Sequence, residues 1–426
     1  MQHPLGPLRD RAACANVRRT TPSRQQRYAV PVSQAKMAHR TFMLNAACIC
    51  TAEDLEQIAA EWLELFQRVG CRNPFISVEW MASWWRHWGR HHRLLIVVVR
   101  NEVGRLVAVA PFFIRMSWLG GWGPRALCLV GSHSIVRSFH LDILLDPLYE
   151  AQAIDTVTSV VLEHRPKWDY IELQGINDTS PGLARLCNRL ASIGLTEKVI
   201  RTQTTECPYA TLPRSFEGYL ESLGANVRYN FRRRRRALVR QGVEFVTVTG
   251  KSELHKKFDD LFRLHRLRFD DKQELSDFLR SDARAFHVDA LERLAEARMA
   301  SLFFLQVDGK PIAALYGFST GKTFSFYQAG MDPAWSRLSA GLVLLGCSIE
   351  EAIRTGHDEF DFLGGPNPYK FQWAHKVRDD VMICLFDRRP ASLQARSLIA
   401  IIDRMRNLKR RCYAGYENYF RREQRV

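Results

Sequence analysis

The sequence predicts a mixed α/β protein made of two successive units of like design. Three observations carry that reading. Hydrophobic residues make up 46% of 426 positions, enough to fill more than one core. Apolar runs of strand length alternate with helical stretches, and the order hairpin, strand, helix, strand occurs twice along the chain.

Residues 1–45 set Arg9, Arg11, Arg18, Arg19, Arg24, Arg27, Lys36 and Arg40 against Asp10, without a sustained hydrophobic period. They are expected to form a disordered basic extension. The first unit, residues 46–205, opens with TAEDLEQIAAEWLELFQRVG, a helix capped by Thr51 and stopped by Gly70. In EWMASWWRHW, Trp80, Trp84 and Trp88 share a helical face, the pattern of a core helix. LLIVVVR and GRLVAVAPFFIR form a hairpin turned at NEVG; RALCLVG, LDILLDP, a helix near 150–164 and DYIELQGI follow.

The second unit, residues 206–390, starts with helices over about 214–240 and 251–299. The hairpin SLFFLQVDGKPIAALYGFS turns at Asp308-Gly309, and TFSFYQAG leads through MDPAWSRLS into the helix AGLVLLGCSIEEAIRTG. EFDFLGG and VMICLFD are the remaining strands, and residues 391–426 read as a basic amphipathic helical tail.

A net charge of +16 calls for an anionic partner: nucleic acid, a phosphate-bearing cofactor or a membrane surface. The arginine run NVRYNFRRRRRALVRQG points first to nucleic acid. On a helical wheel, however, Phe231 and Leu238 lie on one side with Arg234 and Arg235 flanking them, while Arg232, Arg233, Arg236 and Arg240 face away. That is an amphipathic helix with a solvated basic face. Ten cysteines contain no CxxC pair, so no metal site is expected and the compartment is reducing. No apolar run reaches the roughly 18 residues of a membrane-spanning helix, and residues 1–30 lack a signal-peptide core; a cytoplasmic protein is expected.

Three stretches could carry chemistry. The loop MDPAWSRLS brings Arg337 and Ser339 to a helix start whose free N–H groups suit a pyrophosphate, although Ser339 could equally be an ordinary cap. In EFDFLGGPNPYKFQWAHK, Asp361 alternates with Phe360 and Phe362, and Tyr369 and Lys370 follow the Gly-Pro break. A tyrosine there could protonate a leaving thiolate and a carboxylate could take an amine's proton; a cap and a core packing role are the competing readings. In ELHKKFDDLFRLHRLRF, His265 and Arg268 share the apolar face with Leu254, Phe258 and Leu261, as a substrate clamp or a structural pair.

Taken together, NVRYNFRRRRRALVRQGVEF, LHRLRF, FFLQVDGKPIAALYGF, MDPAWSRLSAGLVLL and FDFLGGPNPYKFQWA resemble the CelD-type, BioF-like acetyltransferases of the GNAT superfamily, related to the FemABX peptidyltransferases. The resemblance covers roughly residues 74–390. It implies two GNAT-like folds in tandem, each a mixed, largely antiparallel sheet flanked by helices, and an acyl-CoA, acetyl-CoA the simplest, as co-substrate. It places the pantetheine arm along Gln328, Ala329 and Gly330 and the pyrophosphate among Arg337, Ser339, Ala340, Gly341 and Leu342. Ala340 stands where the family commonly has proline, a tolerable departure because proline at a first helical turn supplies no needed N–H. Asp361, Tyr369 and Lys370 become the catalytic candidates, and Arg235, His265, Arg268 and Trp373 the acceptor-binding ones. The acceptor implied is an amine on a small molecule, sugar or peptide, with polysaccharide or envelope biosynthesis as a setting. Two alternatives stay open: a FemABX-like enzyme drawing on aminoacyl-tRNA, and a non-catalytic nucleic-acid-binding protein on the same scaffold.

Overall fold

The computed structural model describes residues 43–116, 123–177, 179–365 and 367–423, without the side chains of residues 199, 201–203 and 409–423. The expected disordered extension lies outside the described residues apart from its last three positions. The first half runs β1 (Asn45–Ile49), α1 (Ala52–Gln57), α2 (Ala59–Arg68), α3 (Val78–Trp88), β2 (Arg93–Arg100), β3 (Leu106–Arg115), β4 (Ala126–Leu129), β5 (Leu144–Leu145), α4 (Glu150–Glu163), β6 (Tyr170–Ile176), α5 (Pro181–Ser192) and β7 (Thr196–Thr211). The second runs α6 (Phe216–Ser222), α7 (Ala225–Val239), β8 (Glu244–Val248), α8 (Lys251–Asp271), α9 (Ser281–Glu296), β9 (Ala300–Val307), β10 (Lys310–Thr320), β11 (Thr323–Met331), α10 (Ala340–Arg354), β12 (Glu359–Asp361), α11 (Pro368–Trp373), β13 (Lys376–Phe386) and α12 (Pro390–Glu423).

Local sequence chemistry explains most of these limits. The Thr51 hydroxyl accepts from Asp54 N at 3.1 Å and Gly70 ends α2 at φ 62°, but the single helix expected there breaks at Ile58. The Asp308-Gly309 turn between β9 and β10 has φ 47° and 71°, the pair of positive values a type I′ hairpin needs. Of LDILLDP only Leu144 and Leu145 pair, with β3, because the rest of that stretch serves as a connection.

Among the described residues the strands form one 13-stranded sheet in the order β1-β2-β3-β4-β6-β13-β7-β12-β11-β10-β9-β8, with β5 beside β3. The two halves follow one plan. β1 to β4 are antiparallel neighbours and β4 runs parallel to β6, just as β8 to β11 are antiparallel neighbours and β11 runs parallel to β12. The closing strands are exchanged: β13, from the end of the chain, pairs with β6 of the first half, and β7, from the first half, pairs with β12 of the second. β7 and β13 pair with each other between them. The expected boundary at residues 205 and 206 therefore falls inside β7, where no linker exists. β7 escaped the sequence reading because TEKVIRTQTTECPYAT mixes charges with Pro208 and reads as a loop, whereas here it is paired on both sides.

Packing ties the halves further. One apolar cluster is continuous across them, including Trp80 on α3 and Phe286 on α9 with ring centroids 4.9 Å apart. Another belongs to the second half, where Phe231, Leu344, Phe360 and Trp373 bring α7, α10, β12 and α11 together. Gly346 of α10 makes this approach possible, since a Cβ there would stand 2.2 Å from the Phe231 ring. Among the described residues no helix is long and apolar enough to cross a membrane.

The exchange of closing strands makes each half incomplete alone. Fragments 43–211 and 212–423 expressed separately should keep far-UV but lose near-UV circular dichroism, and co-expression should recover a single cooperative melt. Independent cooperative melting of either fragment would contradict the exchanged arrangement.

Candidate functional site

β12 pairs with β11 only over Thr323–Ser325 and Glu359–Asp361. Beyond Ser325 the two strands part, and β11 continues to Met331 with only β10 as its ladder partner among the described residues. A bulge at Tyr327, where the β10 register shifts between Tyr316 and Gly317, turns the strand at the same place. The result is a V-shaped opening in the sheet, edged by the backbone of Phe326 to Gly330.

That edge runs into a tight turn over Pro333–Leu338 and then into α10. Ser339 sits in the left-handed region (φ 51°, ψ 49°), and its side chain makes no cap to α10. The two readings of Ser339 are thus separated in part: it marks the helix start but leaves the first turn's N–H groups uncapped by a side chain. Arg337 is exposed beside this turn.

A cavity of about 2700 Å³ opens against the same helix start, bounded by α7, α11, α12, the floor strands β6, β7 and β13, and the β4–β5 loop. From the arginine run only Arg234 lines it, alongside Asn226 and Asn230 on the same face of α7, and the Arg234 Nε is buried without a partner. Phe231 and Leu238 are buried, Arg234 and Arg235 half-buried, and Arg232, Arg233, Arg236 and Arg240 exposed. Arg235, expected to meet substrate, instead pairs with Glu350 of α10 at 2.8 Å.

Between opening and cavity lies a buried ion cluster made by both halves. His140, in the β4–β5 loop, places Nδ1 2.7 Å from Asp380 Oδ1 and Nε2 2.9 Å from Asp361 Oδ2. Its backbone N–H donates to Asp380 Oδ2 at 2.9 Å, Asn177 donates to the same carboxylate, and Leu363 N donates to Asp361 Oδ1 at 2.8 Å. Burial alone would lower the His140 pKa, but the Asp380 and Asp361 carboxylates outweigh it and raise it to about 10. Asp361, despite burial, is lowered by His140. The group is an imidazolium clasped by two carboxylates, and Asp380 also lines the cavity. Cys207 lies within ligand distance of His140 and Asp380, but its thiol is pushed up by burial and the imidazole is cationic, a poor donor set for a metal.

The remaining candidates divide between site and scaffold. Lys370 is 5% exposed; its ammonium donates to Phe362 O (2.7 Å) and Gly364 O (3.0 Å), and burial pushes its pKa down to about 8. It clasps the turn after β12. Tyr369 is raised by burial and faces the Arg268 guanidinium. His265 has both nitrogens engaged, Nδ1 with Ala329 O and Nε2 with Ser276 Oγ, each at 2.8 Å, and burial holds it down to about 4. It pins α8 to β11 as a neutral ring. Trp373 is packed on Tyr219 and Phe231 and forms part of the cavity wall. Gln328 and Ala329 edge the opening, and Gly330 admits α8, since a Cβ would lie 2.3 Å from His265 N.

Residues 225–371 match an acetyltransferase (GNAT) domain. The matched residues run from α7 into α11 and contain the opening, the α10 start, Asp361, Tyr369 and Lys370. A crystal structure of FemX is similar over 84% of this chain and 100% of its own, at 10% identity and a TM-score of 0.57. That likeness of fold extends beyond the matched residues to both halves. A tandem GNAT protein from the clavulanic acid biosynthesis pathway is 14% identical over 80% of this chain and 98% of its own (TM-score 0.40), and L-PGS from Bacillus licheniformis is 10% identical over 82% and 96% (TM-score 0.46). No curated protein matches the sequence.

His140→Ala leaves two buried carboxylates facing each other and should cost about 3–5 kcal/mol in urea unfolding. Adding Asp361→Asn should restore part of that loss. In the wild type the folded-state pKa lies above the unfolded value, so the stabilisation is complete below pH about 6.5 and declines as pH rises toward about 10. Flat stability between those pH values would contradict the ion cluster.

Proposed function

We propose that the protein is an N-acyltransferase that takes an acyl group from acyl-CoA and passes it directly to an amine of a small molecule, sugar or peptide. The observation that supports this most is that β11, where it parts from β12, runs through the Pro333–Leu338 turn into a start of α10 that no side chain caps. Gln328, Ala329 and Gly330 would line the pantetheine arm, with Ala329 O held by His265 Nδ1 and Ala329 N by Gln328 Oε1, and Arg337 with Ser339, Ala340, Gly341 and Leu342 suits the pyrophosphate. The adjoining cavity has room for a large acceptor.

In this reading the amine nitrogen attacks the thioester carbonyl, the C–N bond forms, the C–S bond breaks and the thiolate takes a proton. Tyr369 is the candidate proton donor, since burial keeps its hydroxyl neutral and the Arg268 guanidinium holds it beside the turn after β12. Asp361 has both oxygens committed inside the fold, so its role is to hold His140. Asp380 borders the cavity, but its oxygens are likewise held, Oδ1 by His140 Nδ1 and Asn177 and Oδ2 by the His140 N–H, so it too positions the cluster and the amine's proton passes to cavity solvent. Lys370 and His265 act by positioning the turn after β12 and the edge of β11. A polysaccharide or envelope amine is the setting suggested by the CelD-type resemblance.

One observation favours a second reading, with aminoacyl-tRNA as donor: Arg232, Arg233, Arg236 and Arg240 form an exposed basic face on α7. The two donors separate experimentally. Acetyl-CoA should raise the Tm by several degrees, and Arg337→Glu should abolish that shift while leaving the ligand-free Tm unchanged. Mass spectrometry of ligands retained by the purified protein should find CoA species; retained RNA with no response to CoA would favour the tRNA reading.

A further inference from the structure

A basic cluster stands at the mouth of the opening, and neither the donor path nor the internal ion pairs use it. Three elements bring it together. α11 supplies Lys370, whose ammonium lies over the Phe326 ring at 5.4 Å, where β11 leaves β12. α8 is pinned to β11 through His265 and Ala329 and pressed close at Gly330, which carries Arg268, three residues further on, to the Tyr369 hydroxyl. The β4–β5 loop is tied to β11 by Tyr327 OH, which donates to Arg137 O at 3.2 Å. Arg137 lies on the cavity wall with Gly365, next to the Lys370 turn.

The nearby acids are already matched. His140 holds Asp361 and Asp380, and Arg378 pairs with Glu359 at 2.8 Å. Among the described residues no carboxylate lies within ion-pair distance of Arg137 or Arg268, and both guanidinium groups act on the buried Lys370 ammonium. A buried ammonium, a half-buried guanidinium at Arg268 and an exposed one at Arg137 are gathered where the repulsion felt by Lys370 is poorly screened. An anion would reverse the sign of that interaction, and two guanidinium forks suit the planar or tetrahedral oxygens of a carboxylate or phosphate.

We propose that Arg137, Arg268 and Lys370 form an anion-binding subsite at the acyl end of the donor path, so that a carboxylate or phosphate is carried there by the transferred acyl group or by the acceptor. This rests on the acyltransferase reading above. A dicarboxylic acyl thioester would bring its free carboxylate to the cluster from the donor side; an acidic or phosphorylated amine would bring its charge from the cavity side.

Isothermal titration calorimetry distinguishes the two sources. The wild type, Arg137→Gln and Arg268→Gln would each be titrated with acetyl-CoA, with succinyl-CoA, and with inorganic phosphate in the presence of saturating CoA. Arg137 is exposed and Arg268 half-buried, and the melting curve checks that each variant folds. An anionic acyl group predicts succinyl-CoA binding about tenfold tighter than acetyl-CoA, with the preference lost in both variants. An anionic acceptor predicts equal donor affinities and saturable phosphate binding that weakens about tenfold in both variants. A wild type with neither the succinyl preference nor phosphate binding overturns the proposal, as does either property persisting unchanged in both variants. If acetyl-CoA fails to bind the wild type, the acyl-CoA reading fails by itself. The cluster is then judged by phosphate without CoA, whose binding must fall in Arg268→Gln and not in Arg337→Glu.

Discussion

One imidazolium between two buried carboxylates fixes the geometry on which the opening depends. His140 comes from the first half, while Asp361 and Asp380 come from β12 and β13 of the second, all three 6% exposed or less. Asp361 is the last residue of the short parallel pairing with β11, so the point where the sheet divides is also the point where the cluster grips. Asn73 reinforces the grip by donating to the carbonyls of Phe139 and His140. A charged cluster in a low-dielectric interior is a costly device for stability alone, and its value here lies in registering two halves whose closing strands are exchanged.

The exchange has a mechanical consequence. In each half a parallel pair forms the end of an antiparallel ladder, and the strand closing it arrives from the other half. Any loosening of β7 against β13 would disturb β12 directly and the opening beside it. The long ladder between β7 and β13, with a register shift between Asp380 and Met382, lies where the cluster binds Asp380. The irregularity and the ion cluster thus coincide in the middle of the sheet, which is where a bulge re-aims a side chain.

Much of this was legible in the sequence, for physical reasons that differ by element. The arginine run could be sorted by a helical wheel because α7 is amphipathic and each residue's direction follows from a period of 3.6. The hairpin at Asp308-Gly309, the cap at Thr51 and the α10 start are local signals and emerged as local structure. β7 could not be read because a central polar strand carries no period-2 apolar signal. His140 and Asp380 were missed for a related reason. They are separated by 240 positions, and RSFHLDILLDP and KVRDDVMICLF contain no motif that says they meet. His265 was legible as a polar group on an apolar face, but only the contact with Ala329 reveals a pin in place of a clamp.

The same contrast bears on how charge is used. The arginines of α7 dominate the sequence, yet two of them are tied to local acids, the exposed Arg232 to Glu217 and the half-buried Arg235 to Glu350. Charge that is solvated and paired contributes little to selecting a ligand. Arg234, with a buried Nε lacking a partner, and the cations Arg137, Arg268 and Lys370 at the opening are fewer but less screened. The fields of Arg234, Arg268 and Lys370, which are half-buried or buried, act partly across protein instead of water, so they discriminate between neutral and anionic groups more strongly than the exposed arginines of the run can. Density of charge in a sequence is therefore a weaker guide to the ligand than the few positions where folding removes the solvent around it.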